Sequence, residues 1–168
     1  MTIETAIKQN KFANPYHKLL VNITYTANWL MNKQMEILRP FDLSPQQYNV
    51  LRILKGSHPK PMRVQDISER MLDKTSNTSR LIDKLAAKQF VYKRLCRNDR
   101  RAVDIVITDP GLVLLEKTTP LIVSLESLLQ HLNPGEVEKL SGMLDSVREA
   151  EENFHNDHNS TPNSTKNP

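Results

Sequence analysis

Cys96 is the only cysteine in this 168-residue chain, so neither an intrachain disulfide nor a cysteine-rich zinc site can be built. Glycine is almost as scarce. The four glycines are Gly56, Gly111, Gly135 and Gly142, and neither G-x-G-x-x-G nor G-x-x-x-x-G-K can be written from them. A Rossmann fingerprint and a phosphate-cradling P-loop are therefore excluded. No apolar run approaches the roughly 18 residues that a membrane span needs. The N-terminal stretch MTIETAIKQNKFANPYHK has no apolar core and does not read as a secretory signal. The five histidines are scattered, and His155-x-x-His158 falls in a polar tail. No nucleophile–base constellation can be assembled from these residues. The expectation is a cytoplasmic protein that is not an enzyme and has no cofactor, metal site or membrane partner.

The chain does have a core's worth of apolar residues, at 38% hydrophobic, and a formal net charge of +4. The sum hides a segregation. Residues 60–101 hold twelve Lys/Arg against five acids, a net +7, whereas residues 112–153 hold three against eight, a net −5. A basic block beside an acidic one is the footprint of a polyanion-binding module on a separate scaffold.

From Tyr16 to Leu38 the apolar residues Leu20, Ile23, Ala27, Leu30, Met31 and Leu38 recur at helical spacing, and Pro40 stops the helix. Ser44-Pro45-Gln46-Gln47 has the cap, proline and glutamine of a helix start. Tyr48, Leu51 and Leu54 then mark one face, with Gly56 placed to end it. A short helix is predicted over Val64–Met71, then a tight turn near Leu72–Lys74. A third helix opens at Thr75-Ser76-Asn77-Thr78, with Leu81 and Leu85 inward and Arg80, Asp83, Lys84 and Lys88 outward. Two short helices joined by a tight turn make a helix-turn-helix.

The period then changes. Val91–Leu95 reads as a strand, and Val103, Ile105 and Ile107 alternate with Ala102, Asp104 and Val106 as a second. Between them lies the polar tip Arg97-Asn98-Asp99-Arg100-Arg101, so the whole is a winged helix-turn-helix. A long helix from Asp109 to His131 is expected to kink at Pro120, and Asn133-Pro134-Gly135-Glu136 opens the last one, with Val137, Leu140, Leu144 and Val147 as its stripe. The fold class is mainly α with a small β wing.

Such a module meets double-stranded DNA with the N-terminal residues of its second helix in the major groove. Ser76, Asn77, Ser79 and Arg80 suit base edges, while Thr75 and Lys84 suit phosphate. Arg97, Arg100 and Arg101 can reach the adjacent minor groove. Asp99, which repels phosphate, is suited to fixing an arginine by a charge-assisted pair.

Asp66–Met71, Thr75–Leu85 and the run Asp99-Arg100-Arg101-Ala102-Val103-Asp104-Ile105-Val106-Ile107-Thr108-Asp109-Pro110-Gly111 resemble the MarR (multiple antibiotic resistance regulator) family. The wing pattern D-R-R-x-x-x-x-x-[LI]-T-x-x-G is the most specific part. The resemblance implies a homodimeric transcriptional regulator and repressor that binds a near-palindromic operator and is released by a small aromatic ligand. It also implies that Asp99 and Arg101 form the wing signature, Arg101 being the minor-groove reader. The boundaries that follow are 1–38 for an N-terminal dimerisation helix, 42–108 for the DNA-binding domain, 109–153 for C-terminal dimerisation helices and 154–168 for a disordered tail. Where relatives carry glycine after the recognition helix this chain has Gln89-Phe90, which asks Gln89 to take a left-handed conformation. Tyr25, Trp29, Met31 and Tyr48 fall where relatives form a ligand crevice, although their helical spacing equally reads as core. Two other readings stay open at this level. One is a winged-helix protein-interaction module without DNA binding, and the other is a redox sensor built on Cys96, which lies between Arg94 and Arg97 and otherwise reads as a plain strand residue.

Overall fold

The computed structural model describes residues 1–95 and 103–159. Residues 1–124 form one unit, and the chain from Leu125 onward forms a second. The first unit begins with a short helix α1 (Ile3–Ile7) that the sequence does not announce. Thr2 caps it, Ile3 is buried, and Glu4 pairs with Lys18 at 2.5 Å.

The long helix α2 (Pro15–Leu38) follows, capped by the Asn14 side chain, which accepts from the His17 amide at 2.9 Å. A 3₁₀ turn at Arg39–Phe41, with Pro40 near its start, ends it. Helix α3 (Pro45–Ser57) has the full capping box. Ser44 Oγ accepts from the Gln47 amide at 3.1 Å, and the Gln47 side chain accepts from the Ser44 amide at 3.0 Å. Gly56 does not end this helix. It lies inside the last turn, and the stop falls at His58, whose extended ψ of 136° is what a residue before proline adopts.

Strand β1 (Met62–Arg63), helix α4 (Val64–Arg70), helix α5 (Thr78–Ala87), strand β2 (Val91–Leu95) and strand β3 (Val103–Ile107) complete the winged helix. The sheet order is β1-β3-β2, all antiparallel, with Val91 opposite Ile107, Leu95 opposite Val103, and Met62 opposite Ile105. Ile105 and Ile107 point into the core, as the alternation requires. The core joins Leu38, Leu51, Leu54, Ile67, Met71, Ile82, Leu85, Val91, Ile105 and Leu115.

The end of α5 is closed by a Schellman motif. The Phe90 amide donates to Leu85 O at 3.0 Å and the Gln89 amide to Ala86 O at 2.9 Å, with Gln89 in the left-handed region at φ 62°. Gln89 therefore takes the left-handed conformation that the sequence asks of it. Helix α6 (Asp109–Val123) starts where Thr108 Oγ1 accepts from the Gly111 amide at 3.2 Å and donates to Gln89 O at 2.7 Å. One hydroxyl thus joins the end of α5 to the start of α6.

The sequence predicts a single kinked helix from Asp109 to His131. The α-helix instead stops at Val123, and Ser124–Leu129 continues as a 3₁₀ segment. Pro120 has no amide to give to its i−4 carbonyl, so regular pairing ends within a turn of it. In the second unit α7 (Pro134–Asn159) begins with a reciprocal cap between Asn133 and Glu136, at 2.9 and 3.0 Å. It runs past residue 153, where the tail was predicted to begin. Its stripe residues Val137, Leu140, Leu144 and Val147 are all exposed, as is Met143 beside them.

Candidate nucleic-acid interface

The helix-turn-helix is α4 and α5, and the second helix begins three residues later than the sequence predicts. Asn77 is the cap, its Oδ1 accepting from the Arg80 amide at 3.0 Å. Thr75 and Ser76 stay in the turn because Asp73 claims them. Asp73 accepts from the Thr75 amide at 3.0 Å, from Thr75 Oγ1 at 2.7 Å and from Ser76 Oγ at 2.9 Å. These bonds, Thr75's first and Ser76's next, hold the Asp73 carboxyl below its ordinary range, with a further contribution from Gln46 of α3. The turn is also pinned from the core side, where the Leu72 amide donates to Asn49 Oδ1 at 2.9 Å.

From Thr78 the 3.6-residue period buries Thr78, Ile82 and Leu85 and turns Ser79, Arg80, Asp83 and Lys84 outward. Ile82, not Leu81, is therefore the fully buried partner of Leu85, and Leu81 is half-buried. Thr75 and Asn77 are exposed and Ser76 is half-buried, so Thr75, Ser76, Asn77, Ser79, Arg80 and Lys84 all lie on or beside the first turns of one helix. The wing residues Arg97, Asp99, Arg100 and Arg101 lie outside the described residues, as does Cys96. So do the side chains of His155 and His158.

The basic residues sort into two groups. Lys88 pairs with Asp42 at 2.8 Å, tying the end of α5 to the link before α3. Lys93 pairs with Asp83, and Arg94 Nε lies 3.5 Å from Asp104 across the hairpin. These three are structural ties. Among the described residues no hydrogen bond or ion pair engages the side chains of Ser79, Arg80 or Lys84, so those two cations remain free for an external anion.

A cleft of about 980 Å³ opens beside this helix. Met35, Glu36 and Arg39 line one wall, and Lys84, Ala87 and Lys88 line the other. Of the aromatic candidates, Tyr48 belongs to the core and its hydroxyl reaches Thr119 and Arg52 at 3.4 and 3.3 Å, whereas Trp29 and Met31 are exposed on α2. No group of three or more metal-ligating side chains occurs among the described residues, and no described helix is long and apolar enough to cross a membrane. Sequence reasoning missed Asp73 and Asp42. For Asp73 the signal was available, since an aspartate two residues before a threonine and three before a serine favours a side-chain-capped turn.

The family model for the MarR family matches residues 43–103. The chain is 29% identical over 129 residues to the HTH-type transcriptional regulator MhqR of Bacillus subtilis, covering 75% of this chain and 84% of that protein. The crystal structure of a MarR transcription factor from Planctomyces limnophilus is 30% identical, with a TM-score of 0.60, covering 80% of this chain and 98% of that one. The S. aureus MepR–DNA complex is 22% identical with a TM-score of 0.71, covering 83% and 99%, and shares the fold.

Proposed function

The chain belongs to the MarR family of transcription regulators, and on that premise we propose that it binds double-stranded DNA as a homodimeric repressor on a near-palindromic operator. One observation carries the reading. Arg80 and Lys84, unpaired, stand with Ser79 on the outer face of a helix whose opposite face, Thr78, Ile82 and Leu85, is fixed in the core. A rigid helix with free cations on its exposed first turns is what major-groove recognition needs. MepR, which has this fold, was crystallised with DNA.

Arg80 and Asn77 are assigned to base edges together with Ser76 and Ser79. Lys84 and Thr75 flank them, and Arg97, Arg100 and Arg101, with Asp99 as the fixing acid, are assigned to the minor groove. Residues 42–108 are the DNA-binding domain. Residues 1–38 and 109–153 are the dimerisation regions. Exposed apolar side chains support this, Leu140, Met143 and Val147 at helical spacing on α7 and Trp29 and Met31 on α2, since exposed apolar groups of this kind mark interaction surfaces. A small aromatic effector is assigned to release the DNA. The cleft beside α5 supports that step, since an occupant between Met35 and Ala87 would bear directly on the seat of the recognition helix.

Salt dependence tests the reading. A selected duplex should lose affinity steeply between about 50 and 200 mM salt, as neutralised phosphates release counterions. An interaction module that does not bind DNA would show no duplex binding with such a slope.

A further inference from the structure

An ionised carboxylate has no proton to give, so wherever a hydroxyl meets one the hydroxyl must be the donor. Thr75 Oγ1 lies 2.7 Å from Asp73 Oδ1, and Ser76 Oγ lies 2.9 Å from Asp73 Oδ2. Each hydroxyl has a single proton, and each proton is spent on Asp73. What both oxygens still offer outward is lone pairs. The same turn fixes Asn77 in the opposite sense, because its Oδ1 is taken up by the Arg80 amide and its amide nitrogen carries the free donors.

Resting on the DNA-binding reading above, we propose that Asp73 sets the hydrogen-bond polarity of the recognition edge. It converts Thr75 and Ser76 into acceptors that select the exocyclic amine of cytosine or adenine. The major groove makes that polarity informative. Cytosine N4 and adenine N6 are donors there, whereas guanine O6 and N7 and thymine O4 are acceptors. Phosphate oxygens are acceptors too, so neither hydroxyl can serve as a phosphate clamp while Asp73 holds its proton. Asp73 is then a positioning residue. It sits where a negative charge is unfavourable beside the DNA backbone, and it stays ionised because Thr75, Ser76 and Gln46 all donate to it. Two hydroxyls tied to the two oxygens of one carboxylate define a direction as well as a shape.

The test is binding-site selection from a randomised duplex library with the full-length protein, run for the wild type, Thr75→Val, Ser76→Ala and the near-isosteric Asp73→Asn. Positions whose preference weakens in Thr75→Val or Ser76→Ala should be read through the exocyclic amine of their cytosine or adenine, the donor that each base pair presents on one strand. Deleting that amine from the DNA, with 2-pyrimidinone for cytosine or purine for adenine, should weaken wild-type binding about fivefold and the corresponding hydroxyl variant by less than twofold. Asp73→Asn, whose amide can donate, frees a hydroxyl proton and should reverse the base pair at those positions, so that guanine O6 or thymine O4 stands where the amine stood. The proposal is overturned if removing the amine at those positions leaves wild-type binding unchanged. It is also overturned by an unchanged preference in Asp73→Asn, or by a selection that neither hydroxyl variant alters. If Asp73→Asn does not fold, the amine deletions still decide, since they leave the wild-type protein untouched. A wild type that enriches no sequence overturns the DNA-binding reading itself, a different and recognisable result.

Discussion

Gly111 faces the carbonyl oxygen of Phe90 so closely that a Cβ on it would lie 2.4 Å from that oxygen and 2.9 Å from Ile107 Cγ1. The close approach exists because Thr108 ties its amide to Phe90 O at 3.1 Å and its hydroxyl to Gln89 O. This draws the start of α6 against the end of the recognition helix. The glycine of the T-x-x-G pattern is thus required for contact, its φ being ordinary. Gly111→Ala forces backbone apart, and the expected cost is about 2 kcal/mol or more. That lowers the melting temperature by about 4–8 °C for a chain of this size. A melting curve that superimposes on the wild type would refute it.

Gln89 presents the opposite case. It holds φ 62° with a side chain attached, a strain of about 1–2 kcal/mol relative to glycine. Gln89→Gly removes that strain but adds backbone freedom to the unfolded chain, about 0.5–1 kcal/mol. The net expectation is stabilisation by about 0.5–1 kcal/mol, read as a rise of a few degrees in thermal melts. Gln89→Val, β-branched at the same φ, should instead melt earlier.

Glu4 and Lys18 make stability at the N-terminus pH-dependent. The hydrogen bond from Lys18, with further help from the Glu4 backbone and Thr2, lowers the Glu4 carboxyl to about 2. A carboxyl that titrates lower in the folded state favours folding above its unfolded value, and that contribution is lost as pH falls through the folded one. The tie between α1 and α2 should therefore be whole above about pH 4.3 and vanish toward pH 2. Hydrogen exchange at Ile3–Ile7 should follow that course at low salt, and Glu4→Gln should flatten it. High salt should flatten it too, because Lys18 is exposed and Glu4 only partly covered, so the pair is open to screening.

What could be read from the sequence was whatever a few neighbouring residues decide. The Ser44–Gln47 box, the Asn133–Glu136 cap, the alternation of Val103, Ile105 and Ile107, and the left-handed Gln89 each rest on contacts within a few positions or on a strict two-residue period. The misses required knowing what lay across the fold. Strand β1 is two residues long and exists only because β3 offers an edge to Met62 and Arg63. Gly56 looked like a stop until Pro59 supplied a stronger one. The start of α5 moved because Asp73 outcompeted the helix for Thr75 and Ser76, and the role of Lys88 depended on Asp42, 46 residues away. At the interface this changed the standing of particular residues. Lys88 counted as an outward charge in the sequence and is a tie in the structure, whereas Arg80 and Lys84 kept their freedom.

Arg80 and Lys84 lie one turn apart on the same face of α5, both unpaired, yet they should fail differently when removed. Arg80 is nearer the capped end that the proposed reading puts in the groove, and its planar fork can bridge guanine O6 and N7, an interaction worth about 1–3 kcal/mol of discrimination. Lys84 is a mobile point charge a turn farther back, suited to a phosphate, which carries no sequence information. Arg80→Ala should therefore reduce the ratio of operator to unrelated-duplex affinity by about tenfold while leaving non-specific binding close to wild type. Lys84→Ala should weaken both duplexes alike and reduce the slope of log affinity against log salt by about one. Fluorescence anisotropy on both duplexes across a salt series measures all four quantities at once. The assignment fails if the two variants are interchangeable, because a helix that only supplies positive charge to DNA would not distinguish a fork at its first turn from an ammonium at its second.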